Sequence, residues 1–314
     1  MLCRCETAWR GARRQVSVDQ RRRTNAFTLI ELLVVIAVIT IIAALMLPAL
    51  GVAKVKAQAI GCLNNTRQLT LAWHLYSTDY NDRVANNYGV SATVTAITSN
   101  RLDNWVNNVM TWGAGAGVED SSNTNLAWIA NGVLGRYVAG AVGTYKCPAD
   151  NVLSQAQSRA GFTQRNRSLS MNSLFGLFSE ELSDTAAGGL NWGSQQQYRQ
   201  YLKQGQVPRP FKTWLFIDEH PDTINDGSLV NYPMMDYWQD IPASSHNGGC
   251  GFSFADGHSE MKKWLSSTSK YKGVLFRYDR PRMEFDAVGR ADYAWYLERT
   301  GYVDAKNGTA AFNY

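Results

Sequence analysis

The sequence is poor in the residues and motifs on which most enzymes depend. Among its 314 residues there are four histidines, and there is no G-x-S-x-G, H-E-x-x-H or P-loop sequence. These absences argue against an α/β-hydrolase, a zinc protease of the common type and a P-loop NTPase. We therefore predict that the protein is not an enzyme and has no catalytic residue.

Cysteine is scarce as well. Two of the five cysteines, Cys3 and Cys5, lie at the start of the chain, and the others are Cys62, Cys147 and Cys250. The spacing of these three, C-x84-C-x102-C, matches no common zinc-binding pattern. The cysteines alone therefore give no reason to expect a zinc ion.

Beyond residue 26 the chain has no net charge. The first 26 residues contain seven arginines and two acidic residues, which accounts for the whole formal charge of +5. No basic groove is indicated in the rest, so we expect no nucleic acid partner. Arginines that precede the first apolar segment keep that end of the chain in the cytoplasm. The excess of arginine in residues 1–26 therefore predicts how the chain is oriented in the membrane.

A long apolar segment follows these arginines. Residues 26–50 read AFTLIELLVVIAVITIIAALMLPAL and contain one charge, Glu31. As a helix, residues 27–50 would extend about 36 Å, enough to cross a hydrocarbon core of about 30 Å. No A-x-A-like cleavage site follows, unlike in a secretory signal. We predict a cytoplasmic leader at 1–26, a transmembrane helix at 27–50 and an extracytoplasmic remainder.

After Pro48 the apolar residues form a stripe. They recur at steps of three and four, the period of one helix face, at Val52, Val55, Ala59, Cys62, Thr66, Leu69, Trp73, Tyr76 and Tyr80. We predict that the helix continues as an amphipathic stem over 51–80 and that Pro48 bends it. A membrane anchor followed by an ordinary docking helix would show the same stripe.

Residues 81–314 are predicted to form a globular head. The pattern indicates a short helix at 126–137, strands at 144–150, 168–171 and 213–218, and a hairpin of strands 251–255 and 258–264. Together with the long helix, these elements predict an α+β fold in which an antiparallel sheet packs on a helix.

The hairpin turn is the strongest local signal, because Asp256-Gly257 separates two strand-like runs. A two-residue turn would pair Phe252 with Met261. His258 would then lie on the face of the sheet opposite Phe254.

The start of the apolar segment resembles the N-terminus of type IV pilins and pseudopilins. The resemblance rests on FTLIE at 27–31, with Glu31 at the fifth position after the processing site and Pro48 at the twenty-second. It implies cleavage by a prepilin peptidase between Ala26 and Phe27, N-methylation of Phe27, and assembly through residues 27–50. Ala26 stands where such proteins usually have glycine.

The same resemblance implies a role for Glu31. In a filament its carboxylate would pair with the α-amino group of Phe27 on a neighbouring subunit. A carboxylate in a membrane helix costs about 2.5 to 3.5 kcal/mol near the centre, which favours such a partner. The alternative is that Glu31 only reaches the membrane surface.

Further blocks resemble the prepilin-associated H-X9-DG family of planctomycetes and Verrucomicrobia, often named as G-type pseudopilins. They are His246, separated by nine residues from Asp256-Gly257, together with CLNNTRQL, YKCPAD, SMN and FIDEHPDTINDG. The resemblance covers most of the chain in scattered blocks, and it implies a fold and a location without an activity. It also implies a disulfide between Cys62 and Cys147, which would leave Cys250 as a buried apolar residue.

The residues of the H-X9-DG motif have a structural explanation. Asp256 tolerates the backbone of a tight turn and bonds its own chain, and Gly257 supplies a positive φ. We expect His246 to be a loop histidine that bonds the backbone.

Four carboxylates lie close together in sequence, at Asp218, Glu219, Asp222 and Asp226. Oxygen ligands in one loop are typical of a calcium site. An acidic, solvated turn explains the pattern equally well. No other cofactor is expected.

Three functions remain open. The first is a structural subunit of a type II secretion or type IV pilus-like machine, whose partners would be the prepilin peptidase, other pilin subunits and an inner-membrane assembly platform. The second is a pilin-anchored module for adhesion, glycan capture or DNA capture, favoured if Trp105, Trp112 and Trp238 are exposed. The third is a membrane-tethered metal hydrolase, with candidate residues His220, Asp222, His246, Asp256 and His258.

Overall fold

A computed structural model describes residues 28–179, 198–271, 273–278 and 280–303. The chain divides into two compact units between Leu50 and Gly51. Helix α1 covers Leu29–Asp79 and therefore includes the end of the first unit and the start of the second.

The first unit consists, in its described part, of the apolar half of α1. Its leucine, isoleucine and valine side chains are exposed all round, with Leu29 76% and Leu45 74% exposed. Among the described residues, α1 is the one helix long and apolar enough to cross a membrane. Pro48 lies inside the helix, as predicted, and the bend there stays a prediction.

The second unit begins with the stem part of α1. Four residues of the predicted stripe, Cys62, Thr66, Leu69 and Trp73, are buried, whereas Val52 is exposed. The stripe therefore packs against the head over its middle turns, and the helix ends one residue before the predicted limit.

The head contains a five-stranded sheet. Its strands are β1 (Leu169–Asn172), β2 (Trp214–Asp218), β3 (Ser228–Leu229), β4 (Gly249–Phe254) and β5 (Ser259–Lys263). The order across the sheet is β3-β1-β2-β4-β5, and every pair is antiparallel except β1 with β3. Further helices are α2 (Val90–Thr98), α3 (Val118–Ser122), α4 (Leu126–Ala130), α5 (Gln155–Arg159) and α6 (Ala287–Thr300). The predicted α+β class is confirmed.

The sheet lies between two helices. On one face Thr70 of α1 donates a hydrogen bond to Ser253 of β4 at 2.7 Å. On the other face the ring of Phe252 packs edge-on against Trp295 of α6, with 5.3 Å between ring centres. Both faces of the central strands are therefore covered, which explains why every residue of β2 and β4 is buried.

Helix α6 was not predicted, although its ends carry standard signals. The Asp286 side chain accepts a hydrogen bond from the Gly289 N–H at 2.6 Å, and Gly301 ends the helix with φ of +85°. The helix shows no clear period of apolar residues, because its buried face includes the polar Asp292 and Thr300.

The predicted hairpin is present, but its register is wrong by one residue. Phe252 pairs with Glu260, and Gly251 pairs with Met261. The connection has three residues, 255–257, and the third, Gly257, has φ of +100°. The shift places His258 beside Phe254, where the two rings stack 4.3 Å apart.

Two further predictions need correction. The predicted strand at 144–150 is absent: a 3₁₀-helix covers Val142–Tyr145, and a turn follows in which the Asp150 N–H donates to the Cys147 carbonyl at 3.0 Å. The predicted helix at 126–137 is divided into α4 and a 3₁₀-helix at Gly135–Val138. The break lies where a Cβ on Gly135 would stand 2.0 Å from the Ala130 carbonyl oxygen, so the chain turns too sharply there for a continuous helix.

Candidate functional site

The described chain begins just after the predicted processing site. Ala26 and Phe27 lie outside the described residues, so cleavage and methylation there stay predictions. Glu31 is described, and its carboxylate accepts hydrogen bonds from the Thr28 N–H at 2.9 Å and the Thr28 hydroxyl at 2.7 Å. The Glu31 N–H donates in return to the Thr28 hydroxyl at 3.2 Å.

These reciprocal bonds form a capping box at the start of α1. They satisfy backbone donors that the first helical turn leaves without intrahelical partners. This contact was not predicted, although T-x-x-E at 28–31 is its usual signature. Glu31 therefore has a partner within its own chain, and any contact with a neighbouring subunit would come in addition.

In the head, four residues far apart in sequence converge. They are Cys62 of α1, Cys147 after the 3₁₀-helix at 142–145, Asp218 at the end of β2, and His246 in the loop before β4. Their nitrogen, sulfur and carboxylate oxygen atoms all lie within 4.8 Å of one another, and all four residues are buried. We call these four residues the buried cluster.

His246 differs from its prediction. Its backbone pairs with Gly249, as expected of a loop residue, but Nε2 of its ring lies 3.2 Å from the Cys147 sulfur. Cys62 and Cys147 are close to each other, yet both are free thiols here. The disulfide between them stays a prediction.

Glycines allow the segments to approach one another. A Cβ on Gly61 would lie 3.1 Å from the Pro148 ring, and a Cβ on Gly251 would lie 3.2 Å from the Cys62 sulfur. Ser168 also holds the buried cluster together, because its hydroxyl accepts from the Cys147 N–H at 2.8 Å and donates to the Asp218 carboxylate at 2.7 Å.

The surroundings of the buried cluster favour uncharged side chains. The hydrogen bond with Cys147 and burial raise the pKa of the Cys62 thiol well above its usual value. Burial raises the pKa of Asp218 to about 7, although the Ser168 hydrogen bond acts in the opposite direction. Burial also lowers the pKa of His246. Burial thus favours the uncharged form of each of these three side chains.

Cys250 is adjacent to the buried cluster and does not belong to it. It is fully buried, as predicted, and its thiol donates to the backbone carbonyl of Asp218 at 3.2 Å. Its side chain thus has a protein partner of its own.

The four carboxylates proposed for calcium have different partners. Glu219 accepts from the Ser170 hydroxyl at 2.5 Å, Asp222 accepts from Arg280 at 2.6 Å, and Asp226 accepts from the Ser228 N–H at 2.8 Å. Asp218 belongs to the buried cluster. All four side chains are buried, so an acidic, solvated turn is wrong. Calcium binding stays a prediction, and each of its proposed ligands already accepts a hydrogen bond from the protein.

Asp226 offers a test by pH. Burial raises its pKa to about 6, although the Ser228 N–H and Arg167 act in the opposite direction. The folded state thus holds the Asp226 proton more tightly than the unfolded state. The stability that Asp226 contributes is complete below about pH 4 and is lost as the pH rises through about 6.

We expect Asp226→Asn to remove this dependence while keeping an acceptor for Ser228. Between about pH 4 and pH 7, the free energy of unfolding of the variant should rise relative to wild type by about 3 kcal/mol, since the shift is about two pKa units. Urea unfolding of the full chain in detergent, followed by tryptophan fluorescence, measures it. The prediction would be contradicted if the free energies of unfolding of variant and wild type differed by the same amount at pH 4 as at pH 7.

The tryptophans that a binding module would need at its surface lie mostly inside the head. Trp105 is fully buried and Trp238 is 2% exposed. Trp112 is partly exposed, and the Arg165 guanidinium lies 4.3 Å from its ring centre. The condition that favoured a binding module is therefore not met at two of its three positions.

The histidines proposed for a hydrolase also have separate partners. His258 contacts Asp256 at 2.6 Å near the exposed end of the hairpin, whereas His220 lies beside Asp222 and Arg280. The buried cluster contains neither His220 nor His258. Asp256 also accepts from the His258 N–H at 3.1 Å, which is the turn role expected for it.

A comparison with known families bears on the N-terminal segment of the chain. Residues 21–47 match the family model of the prokaryotic N-terminal methylation motif. The chain carries a prepilin-type motif. This match supports a type IV pilin-like prepilin, and with it a structural subunit rather than an enzyme. No curated protein and no solved structure was found to match the chain.

The described part of the prepilin-type motif, residues 28–47, is exposed throughout and mostly apolar. It covers the capping box at 28–31 and most of the apolar half of α1. A prepilin motif that includes the apolar start of one long helix fits a single-pass anchor in the inner membrane. Such a motif implies processing by a prepilin peptidase and assembly with other pilin subunits.

Proposed function

We propose that the protein is a structural prepilin or pseudopilin subunit of a type II secretion or type IV pilus-like machine. The leader at 1–26 would stay in the cytoplasm, and the head would lie outside the inner membrane. After cleavage behind Ala26 the subunit would be assembled through residues 27–50, by way of an inner-membrane assembly platform.

One observation carries the proposal. The methylation motif at 21–47 includes an apolar helix whose side chains are exposed on every side within its own unit. Such a surface is stable only in lipid or against other apolar helices. A prepilin uses both environments in turn, the membrane before assembly and neighbouring subunits afterwards.

Mass spectrometry of the mature N-terminus tests this proposal. In a host that contains a prepilin peptidase, we expect the chain to begin at Phe27 and to carry one added methyl group. Ala26→Gly should be cleaved at least as fast as wild type, because glycine is the usual residue there. Ala26→Leu should remain uncut, since a bulky side chain replaces a small one. A wild-type chain that keeps its leader would reduce the protein to a plain membrane-anchored domain.

A further inference from the structure

We propose that Cys62, Cys147, Asp218 and His246 bind one structural Zn²⁺ ion. The four side chains bring two sulfur atoms, one imidazole nitrogen and one carboxylate oxygen to a single point in the head. Neither the methylation motif nor the proposed function requires such a site.

The distances suit a tetrahedral ion. With bonds of about 2.3 Å to sulfur and about 2.0 to 2.2 Å to nitrogen and oxygen, ligand atoms around zinc lie roughly 3.3 to 3.8 Å apart. The observed separations reach at most 4.8 Å, and that between His246 Nε2 and Cys147 Sγ is 3.2 Å. Shifts of about 1 Å or less at the side-chain ends would complete the geometry.

The kinds of ligand atom select the metal. Thiolate and imidazole ligands favour zinc, whereas calcium and magnesium prefer oxygen ligands throughout. Four protein ligands fill a tetrahedral coordination sphere and leave no position for water or substrate. The ion would therefore be structural, not catalytic.

Hydrogen bonding around His246 points to a missing partner. His246 is 6% exposed, and its Nε2, which lies in the buried cluster, contacts the Cys147 thiol, a weak hydrogen-bonding group. A metal ion bound to Nε2 would supply the strong interaction that this nitrogen lacks. Nδ1 has no hydrogen-bond partner among the described residues, and an ion at Nε2 would not change that.

Other contacts hold the ligands as metal sites require. The Ser168 hydroxyl donates to the Asp218 carboxylate, and the Ala149 N–H donates to the Cys147 sulfur at 3.4 Å. Hydrogen bonds of this kind orient ligands and tune their affinity. We identify Ser168 as a positioning residue for the site, because it contacts two ligand residues at once.

The ion would join the stem to the head within the second unit. Cys62 belongs to α1, and the other three ligands belong to three separate segments of the head. A bound ion would link all four, and its binding free energy would add to the stability of the fold. A disulfide between Cys62 and Cys147 would use both sulfur ligands, so the two arrangements exclude each other.

Metal analysis of the full chain tests the proposal. The detergent-purified protein is kept reduced, loaded with Zn²⁺, desalted and measured by elemental mass spectrometry. We expect one zinc per chain in wild type and in Cys250→Ser, which alters a neighbouring buried thiol outside the site. Cys147→Ser and His246→Ala should retain none. Ser168→Ala should keep zinc with an affinity about 10 to 100-fold lower, as found for residues that orient ligands.

Cobalt provides a readout that does not depend on whether the variants fold. Wild type loaded with Co²⁺ should show the intense visible bands of tetrahedral cobalt and a thiolate-to-cobalt charge-transfer band. The absence of both zinc and cobalt binding in reduced wild type would overturn the proposal. So would equal zinc content in wild type and Cys147→Ser, or a Cys62–Cys147 disulfide in metal-free protein isolated from the extracytoplasmic side.

Discussion

Replacing Glu31 with alanine is expected to leave the protein in the membrane and to abolish its incorporation into filaments. The apolar segment around Glu31 is unchanged by the substitution, so insertion should be at least as favourable as in wild type. Assembly would lose the carboxylate that, by resemblance to pilins, pairs with the α-amino group of Phe27 on a neighbouring subunit.

Because Glu31 also belongs to the capping box, further variants are needed to separate its charge from its role in the helix cap. Glu31→Ala removes the negative charge and also the acceptor for Thr28. Glu31→Gln keeps an acceptor oxygen and removes only the charge. Thr28→Val keeps the carboxylate and a similar shape but removes the hydroxyl, at a cost of about 1 kcal/mol to the helix start.

If assembly requires the negative charge of Glu31, Glu31→Gln should be excluded from filaments as completely as Glu31→Ala, and Thr28→Val should be incorporated. Immunoblots of sheared filaments against the membrane fraction measure incorporation. Mass spectrometry of each N-terminus verifies that processing is intact. Normal assembly of Glu31→Gln together with failure of Thr28→Val would assign Glu31 to the helix cap alone.

Local features of the fold were predicted well where strong signals bound them. Strand β2 lies within one residue of its prediction, because an apolar run is closed by Pro210 and Pro221. The hairpin was found from Asp256-Gly257, yet its register depended on whether the loop has two or three residues. The sequence did not distinguish these two loops, and the single extra residue moved every cross-strand pair.

The buried cluster could not be predicted from spacing. Its members are separated by 84, 70 and 27 intervening residues, and a zinc motif is recognisable only when ligands are close in sequence. The sheet and the stem bring them together through long-range packing. The local sequence gave one indication that segments pack closely here. Gly61 and Gly251 each stand next to a cysteine, and at each of them another segment approaches closely.

For the acidic segment at Asp218–Asp226, a calcium loop and a solvated turn were both left open, and the structure shows an arginine beside it. Arg167 is fully buried and donates hydrogen bonds to the Asn108 side chain at 3.0 Å, the Leu169 carbonyl at 2.8 Å and the Asp226 carbonyl at 2.6 Å. The carboxyl groups of Glu219 and Asp226 interact with its charge. Nothing in the local sequence linked Arg167 to residues about 50 positions later, because that link is again a product of the sheet.

We expect Arg167→Met to destabilise the head by about 3 to 5 kcal/mol, the usual result of removing one member of a buried charged group. Methionine fills much of the volume, so the loss would come from acceptors and carboxylates left without a donor. Arg167→Lys should be intermediate, since it keeps the charge but not the planar fork of donors. Arg290→Met on the exposed side of α6 is the matched control and should change stability by less than about 0.5 kcal/mol.

The origin of the loss can be isolated by combining substitutions. If an uncompensated Asp226 carboxylate causes part of it, Arg167→Met with Asp226→Asn should be more stable than the sum of the single effects predicts, by about 0.5 to 3 kcal/mol at pH 7. Urea unfolding of the full chain in detergent, followed by tryptophan fluorescence, measures the free energy of unfolding of wild type, the two single variants and the double variant. A loss below about 1 kcal/mol for Arg167→Met, or strict additivity in the double variant, would show that Arg167 acts through packing and not by neutralising the acidic segment.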